Sequence, residues 1–175
     1  KLFFLSLRKY YFRSNYYNNK LITFVPDRIF YNPSTHLCTL LTNFGNEFYK
    51  ISNASPSLMW EISFKEKLKF ENLHSFLWLS KIDRKNSKII TKNIIGSWID
   101  NFFNYDPHTW EMEITAKRII AWASNTDITL DDSDKIYKEK FFLSIVKQSN
   151  FLQKNIKKKF DNSEKIICCA AIILS

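Results

Sequence analysis

Hydrophobic positions along this chain recur at steps of three and four, the spacing of helices that bury one face. From about residue 64, Phe70, Leu73, Leu77 and Trp78 mark a first helix that ends near Ile82. The polar run Asp83-Arg84-Lys85-Asn86-Ser87 reads as a turn. Ile90, Ile94, Trp98 and Phe102, flanked by Ile95, Ile99 and Phe103, define a second helix. Asp106-Pro107 breaks it, because proline lacks an amide proton and restricts the residue before it. Thr109 is then placed to cap a third helix from Trp110 to Trp122. A connector follows at Thr126–Asp134, with Asp131 or Ser133 as the expected next cap. Phe141, Ile145, Ser149, Leu152 and Ile156 trace a long helix ending in Lys157-Lys158-Lys159, cations that complement a helix C-terminus without a ligand. Asp161-Asn162-Ser163 opens a last helix.

The chain before residue 58 is less regular. Residues 2–17 predict an amphipathic helix with basic residues on one side. Its apolar run is too short for a signal peptide, and its basic residues follow that run. Such a helix can lie on a membrane surface; docking onto the parent domain is the arrangement expected here. Residues 20–53 carry Pro26, Pro33 and Gly45 with short β-type pieces at Leu21–Val25 and Glu47–Ile51, an extended lead-in and not a sheet domain. The pattern divides into residues 1–57, an N-terminal helix and lead-in, and residues 58–175, successive helices joined by short turns as antiparallel neighbours. The chain starts at Lys1 in an amphipathic run and stops at Ser175 after a greasy one. It is expected to be the N-terminal piece of a larger protein.

The third helix is the most informative stretch. Trp110, Ile114, Arg118 and Trp122 share one side, and Met112, Ala116, Ile119 and Ala123 form a second apolar row. A helix apolar on more than one face is enclosed by neighbours. An enclosed guanidinium needs a carboxylate, a backbone acceptor or an anionic ligand. Two readings follow. In one, Arg118 sits in a core helix and is satisfied by a neighbouring helix, as an ion pair between helices. In the other, the helix lines a helical toroid and shows Arg118, Trp110 and Trp122 to an acidic sugar chain.

Composition narrows the picture only partly. At 175 residues, 45% hydrophobic and 17% aromatic, the chain can bury a real core. Two Gly and four Pro favour helices over a turn-rich β fold. A net charge of +9 suggests a polyanion, but Lys outnumbers Arg about four to one alongside abundant Ile, Asn and Phe, as an AT-rich coding sequence produces by default. Cys38, Cys168 and Cys169 fit neither a disulfide framework nor zinc spacing, and His36, His74 and His108 have no partner at metal-binding spacing, so no metal or other cofactor is expected. The longest apolar stretch, Ile166–Leu174, is far short of the roughly 18 residues of a membrane span.

The order Leu73-His74-Ser75-Phe76-Leu77-Trp78-Leu79, Ile95-Gly96-Ser97-Trp98-Ile99, Trp110 through Arg118 to Trp122, then Gln148-Ser149-Asn150-Phe151-Leu152 resembles the N-terminal α-domain of heparinase II/III-type proteins. The resemblance covers about residues 20–175. Its most specific part is the spacing of aromatic, Arg and Trp in the third helix, followed by Gln-x-x-aromatic-Leu. It implies an all-α, partial (α/α) toroid of antiparallel helical hairpins, completed downstream by further helices and a β-sandwich domain. It also implies a bacterial parent, periplasmic or cytoplasmic, that binds acidic polysaccharide such as glycosaminoglycan. Such lyases cleave uronic-acid-containing chains by β-elimination: fixed donors neutralise the carboxylate, a base takes the C5 proton and an acid protonates the leaving oxygen. The family's Tyr and His lie beyond Ser175. An Asn-His pair expected inside this chain falls instead on Ser163 and Glu164, with Asn162 adjacent, so the usual chemistry is incomplete here.

Arg118 is the first candidate to bind carboxylate or sulfate, for which its planar fork is suited. Trp122 and Trp110 can stack on sugar rings or serve as core aromatics. Asn162 can touch a uronate or cap its helix. Tyr105, His74 and His108 are weaker candidates. No catalytic residue is assigned. A nucleic-acid partner is not expected, since the lysines are scattered and no recognised motif is present. A basic nucleic-acid-binding module and a purely structural interaction domain are the competing readings.

Overall fold

The computed structural model describes residues 2–21, 59–61, 63–158 and 161–175. The described residues are helical, with no strand among them. The β-type pieces, apart from Leu21, lie outside the described residues, as do Pro26, Pro33, His36, Cys38 and Gly45. No described helix is long and apolar enough to cross a membrane.

The elements are α1 (Leu2–Arg13), α2 (Asn15–Asn19), α3 (Lys67–Ser75), a 3-10 turn (Leu77–Lys81), α4 (Lys88–Phe102), α5 (Met112–Ala123), α6 (Thr126–Thr129), α7 (Lys135–Asn155), a second 3-10 turn (Ile156–Lys158) and α8 (Asn162–Leu174). The helix expected over 2–17 splits at Ser14, whose hydroxyl accepts the Tyr17 amide at 3.1 Å and starts α2. The helix expected from 64 to 82 also breaks. Phe76 takes a left-handed conformation (φ 58°, ψ 12°), ending α3 and starting the 3-10 turn. A left-handed backbone costs a residue with a Cβ roughly 1–2 kcal/mol. The ring offsets that cost: Phe76 is fully buried, edge-on to Trp122 at 5.3 Å and stacked on Trp78 at 5.4 Å.

Three expected caps are corrected by side-chain geometry. Thr109 does not cap the third helix; its amide is taken by the Asp106 carboxylate at 3.0 Å, within a turn that also holds Trp110. The helix therefore begins two residues later than expected, and Glu111 caps it by accepting the amides of Glu113 and Ile114. Asp134, and neither Asp131 nor Ser133, caps α7 by accepting the Tyr137 amide at 2.8 Å. Asp161 caps α8, which makes Asn162 its first helical residue and not its cap.

α5 is the axis of the assembly. Nine of its twelve residues are buried, as its two apolar rows require. It contacts α3, the first 3-10 turn, α6, α7 and α8. Ala116, Ile119 and Ile120 join an apolar cluster with Phe12, Tyr17, Tyr105, Trp110, Phe151, Leu152 and Cys168. Ala121 and Trp122 join a second cluster with Phe76, Leu79, Ile94, Trp98, Ile128 and Phe141. Each large apolar side chain so enclosed contributes about 1.5–3 kcal/mol relative to exposure.

The cap correction is testable. Asp134→Ala is expected to lower unfolding free energy by about 1 kcal/mol in urea titration. Ser133→Ala, which removes a buried hydroxyl with no hydrogen-bond partner, is expected to be neutral or slightly stabilising; the opposite order overturns the assignment.

Candidate functional site

The sequence's first candidate leads to a buried polar cluster where α3, α4, α5, α7 and the turn before α5 meet. Arg118 projects from the middle of α5 and is 0% exposed. Its Nε donates to Gln148 Oε1 at 2.7 Å. One terminal nitrogen donates to the carbonyls of His74 (2.9 Å) and Thr109 (3.0 Å), and the other to Thr115 Oγ1 at 3.3 Å. Its guanidinium carbon lies 4.0 Å from the centre of the Trp98 ring. A desolvated cation over an indole contributes up to about 2 kcal/mol.

Each acceptor is presented by local structure. The left-handed turn at Phe76 stops α3, leaving the His74 carbonyl outside the helical ladder and free to face Arg118. Gln148 donates its Nε2 to Ser144 Oγ at 3.0 Å, which turns Oε1 toward the guanidinium. The Asp106 turn fixes the Thr109 carbonyl. Burial pulls the arginine's pKa well below its ordinary value, yet the delocalised guanidinium keeps its proton in proteins. Among the described residues its partners are all neutral, so the expected ion pair between helices is replaced by oxygen dipoles.

His74 forms the other half of the cluster. Trp98 Nε1 donates to His74 Nδ1 at 3.1 Å, which makes Nδ1 the bare nitrogen and puts the ring proton on Nε2. Phe70, Trp60 and Phe102 surround the imidazole with centroids at 4.2, 5.6 and 5.1 Å. Nε2 is buried with no hydrogen-bond partner. Desolvation, assisted by the Arg118 charge and opposed by Asp106, pushes its pKa down to about 3. It is a neutral core imidazole at ordinary pH.

A second buried cation stands one residue from Gln148. Lys147 is 0% exposed, donates to Asn104 Oδ1 at 3.2 Å and lies 3.9 Å from the Phe103 ring centre. Burial lowers its pKa to about 8. Sequence periodicity does not reveal it, because a lysine on a long helix reads as solvated by default.

The remaining candidates separate. Trp122 is buried among Trp98, Phe76 and Phe141, its indole nitrogen unpartnered. Trp110 lies in the other apolar cluster, donating Nε1 to the Phe102 carbonyl at 2.9 Å. Neither indole faces solvent, and Arg118 stacks on Trp98 instead. Asn162 is exposed at the start of α8. Ser163, where the resemblance expects the Asn of the pair, donates its hydroxyl to Asp161 at 2.7 Å. Tyr105 is buried beside Phe12 and Phe151. His108 is exposed and stacks on Phe64 at 4.1 Å. Among the described residues no group of His, Cys, Asp and Glu is arranged to hold a metal.

No protein-family model, curated protein or solved structure matches this chain.

The geometry assigns Arg118 to holding the helices together. Arg118→Ala is expected to destabilise by about 3–5 kcal/mol, because three carbonyl groups lose a charged donor in the interior. Arg118→Lys is expected to recover only part, lacking the fork. Unchanged melting with lost ligand binding contradicts this.

The imidazole supplies a pH signature. Its folded pKa of about 3 lies below the ordinary 6.5, so the unfolded chain takes up this proton first as pH falls. Its stability contribution is complete above 6.5 and drains away toward 3. His74→Asn keeps an acceptor for Trp98 and is expected to flatten the loss of urea midpoint between pH 7 and 5. An unchanged slope refutes the role.

Proposed function

We propose that this chain is the front helical part of a heparinase II/III-like polysaccharide lyase, in which the residues that carry the family resemblance act as scaffold. One observation supports this most directly. The four segments behind the resemblance supply one contiguous cluster: His74 from the first, Trp98 from the second, Arg118 from the third and Gln148 from the fourth. Their order and spacing in sequence therefore have a common physical cause. The all-α architecture is compatible with the first hairpins of an (α/α) toroid.

On this reading the parent binds acidic, uronate-containing polysaccharide and cleaves it by β-elimination, and this piece is not complete for the chemistry. Arg118, Trp110 and Trp122 are enclosed and satisfied or packed, so sugar contacts come from other surfaces. The Ser163-Glu164 position offers no imidazole to exchange the C5 proton. The proton-transfer groups then belong to later toroid helices and to the β-sandwich domain of the parent.

Two competing readings make different demands. A nucleic-acid module needs a one-sign face over the helices that form the core, whereas between residues 67 and 140 Lys67, Lys69, Arg84, Lys88, Lys117 and Lys140 each pair with an acid. A structural interaction domain is favoured by one feature, the strongly exposed Ile166 and Ile173 on α8.

The full-length protein that carries this chain is expected to release unsaturated uronate, read by its ultraviolet absorbance, from at least one of alginate, hyaluronan or heparan sulfate. Absence of product and of retention on all three polymers sinks the proposal and leaves the interaction-domain reading.

A further inference from the structure

The first two helices carry more apolar surface than the fold uses. Among the described side chains, their inner side packs on the core. Phe12 packs against Tyr17, Tyr105 and Phe151 at 4.9, 5.5 and 5.1 Å. The Arg8 guanidinium lies over the Tyr105 and Phe151 rings, and Arg13 Nε donates to the Tyr105 carbonyl at 2.8 Å. Tyr17 donates its hydroxyl to the Lys147 carbonyl at 3.0 Å. This docking leaves a second side uncovered. Leu7 is 50% exposed, Tyr10 78% and Tyr16 60%, and Leu7 and Tyr10 lie one turn apart on α1.

The charges that these two helices themselves contribute are of one sign. Lys9, Arg13 and Lys20 are exposed on or beside these helices, and the sequence holds no Asp or Glu before Asp27. The end of α7 extends the same surface. Lys154 Nζ donates to the Tyr11 hydroxyl at 2.7 Å and lies 4.9 Å from the Tyr11 and Tyr17 ring centres. Lys157 is exposed one turn further on, and residues 140–160 hold no acid. Lys67, Lys69, Lys88, Lys117, Lys135 and Lys140 each pair with an acid, whereas Lys9, Lys20, Lys154 and Lys157 form no ion pair among the described residues.

We propose that the outer face of α1 and α2, with Lys154 and Lys157, seats the protein on a bilayer surface that bears anionic headgroups. Charge complementarity selects the partner. A polyanion in water satisfies the lysines but leaves Leu7 and Tyr10 wet. A bilayer boundary takes both: apolar and tyrosyl side chains enter the headgroup layer while Lys and Arg stay with the phosphates. Attraction per basic residue is modest and salt-sensitive, so the combination of insertion and charge is what makes seating stable. The exposed residues sit on a helix pair fixed to the core, so binding needs no rearrangement. This inference stands apart from the lyase reading and fails or succeeds without it.

The test is co-sedimentation of the full chain with vesicles of phosphatidylcholine alone and of phosphatidylcholine mixed with phosphatidylglycerol. Partitioning is expected to be at least about tenfold stronger on the anionic vesicles and to weaken as salt rises. Leu7→Ser/Tyr10→Ser and, separately, Lys9→Gln/Lys20→Gln are each expected to lower it about tenfold with an unchanged melting temperature. Equal partitioning on both vesicle types, or wild-type partitioning by Leu7→Ser/Tyr10→Ser, overturns the proposal. So does equally tight retention on duplex DNA that survives Leu7→Ser/Tyr10→Ser, because it assigns the surface to polyanions in general. Should the serine pair melt early, Leu7→Gln/Tyr10→Gln supplies the same comparison.

Discussion

A guanidinium removed from water must find in the protein every contact that water gave it, and the architecture of this chain follows from how Arg118 does so. Its acceptors come from the end of α3, the turn before α5, α5 itself and the middle of α7. Neutral oxygens carry less charge than a carboxylate, but three carbonyls and a hydroxyl with an indole face surround the cation and leave no second ion to desolvate. The arrangement holds only if each carrier is placed to within hydrogen-bonding distance. Arg118 therefore fixes the relative setting of α3, α5 and α7 more sharply than apolar contact, which tolerates sliding.

The surrounding features read as conditions for that contact. Phe76 adopts a left-handed backbone that is costly for a residue with a Cβ, and the broken helix exposes the carbonyl that Arg118 takes. Trp98 serves twice, its ring facing the cation and its N–H fixing the tautomer of His74. The imidazole stays neutral largely because it is buried and partly because Arg118 is near. With Lys147 also enclosed, two cationic side chains among the described residues are buried with neutral hydrogen-bond partners. Such an interior is selective: it accepts dipoles and rings and penalises any further positive charge.

Helix content and the enclosure of α5 were legible because they depend on periodicity. Apolar rows at steps of three and four need no knowledge of partners. Arg118 was legible as an anomaly, since a charge inside an apolar pattern always demands an acceptor. Which acceptor was not. Backbone carbonyls leave no trace in sequence, and the turn at Phe76 that frees one of them carries no glycine or asparagine to announce it. The caps were misassigned for a related reason. Thr109, Asp131 and Ser133 all suit the position by type, but Asp106, Glu111 and Asp134 reach the amides first. The shared face of Trp110 and Trp122 left ring platform and core aromatic as equal alternatives; a shared face fixes direction and not exposure, and both point into packed interior. Lys147 was invisible because nothing in its neighbours' identity marks it as enclosed.

The separation in sequence of Arg118 from its partners bears on how the chain is made. During vectorial synthesis the His74 carbonyl emerges from the ribosome well before the arginine that will hold it, and Gln148 later still. Until that glutamine clears the exit tunnel, the Arg118 Nε between α3 and α5 lacks its protein acceptor and is better left to water. Nascent chains shorter than this point should remain open to chaperones and proteases, and closure should arrive late, in one step.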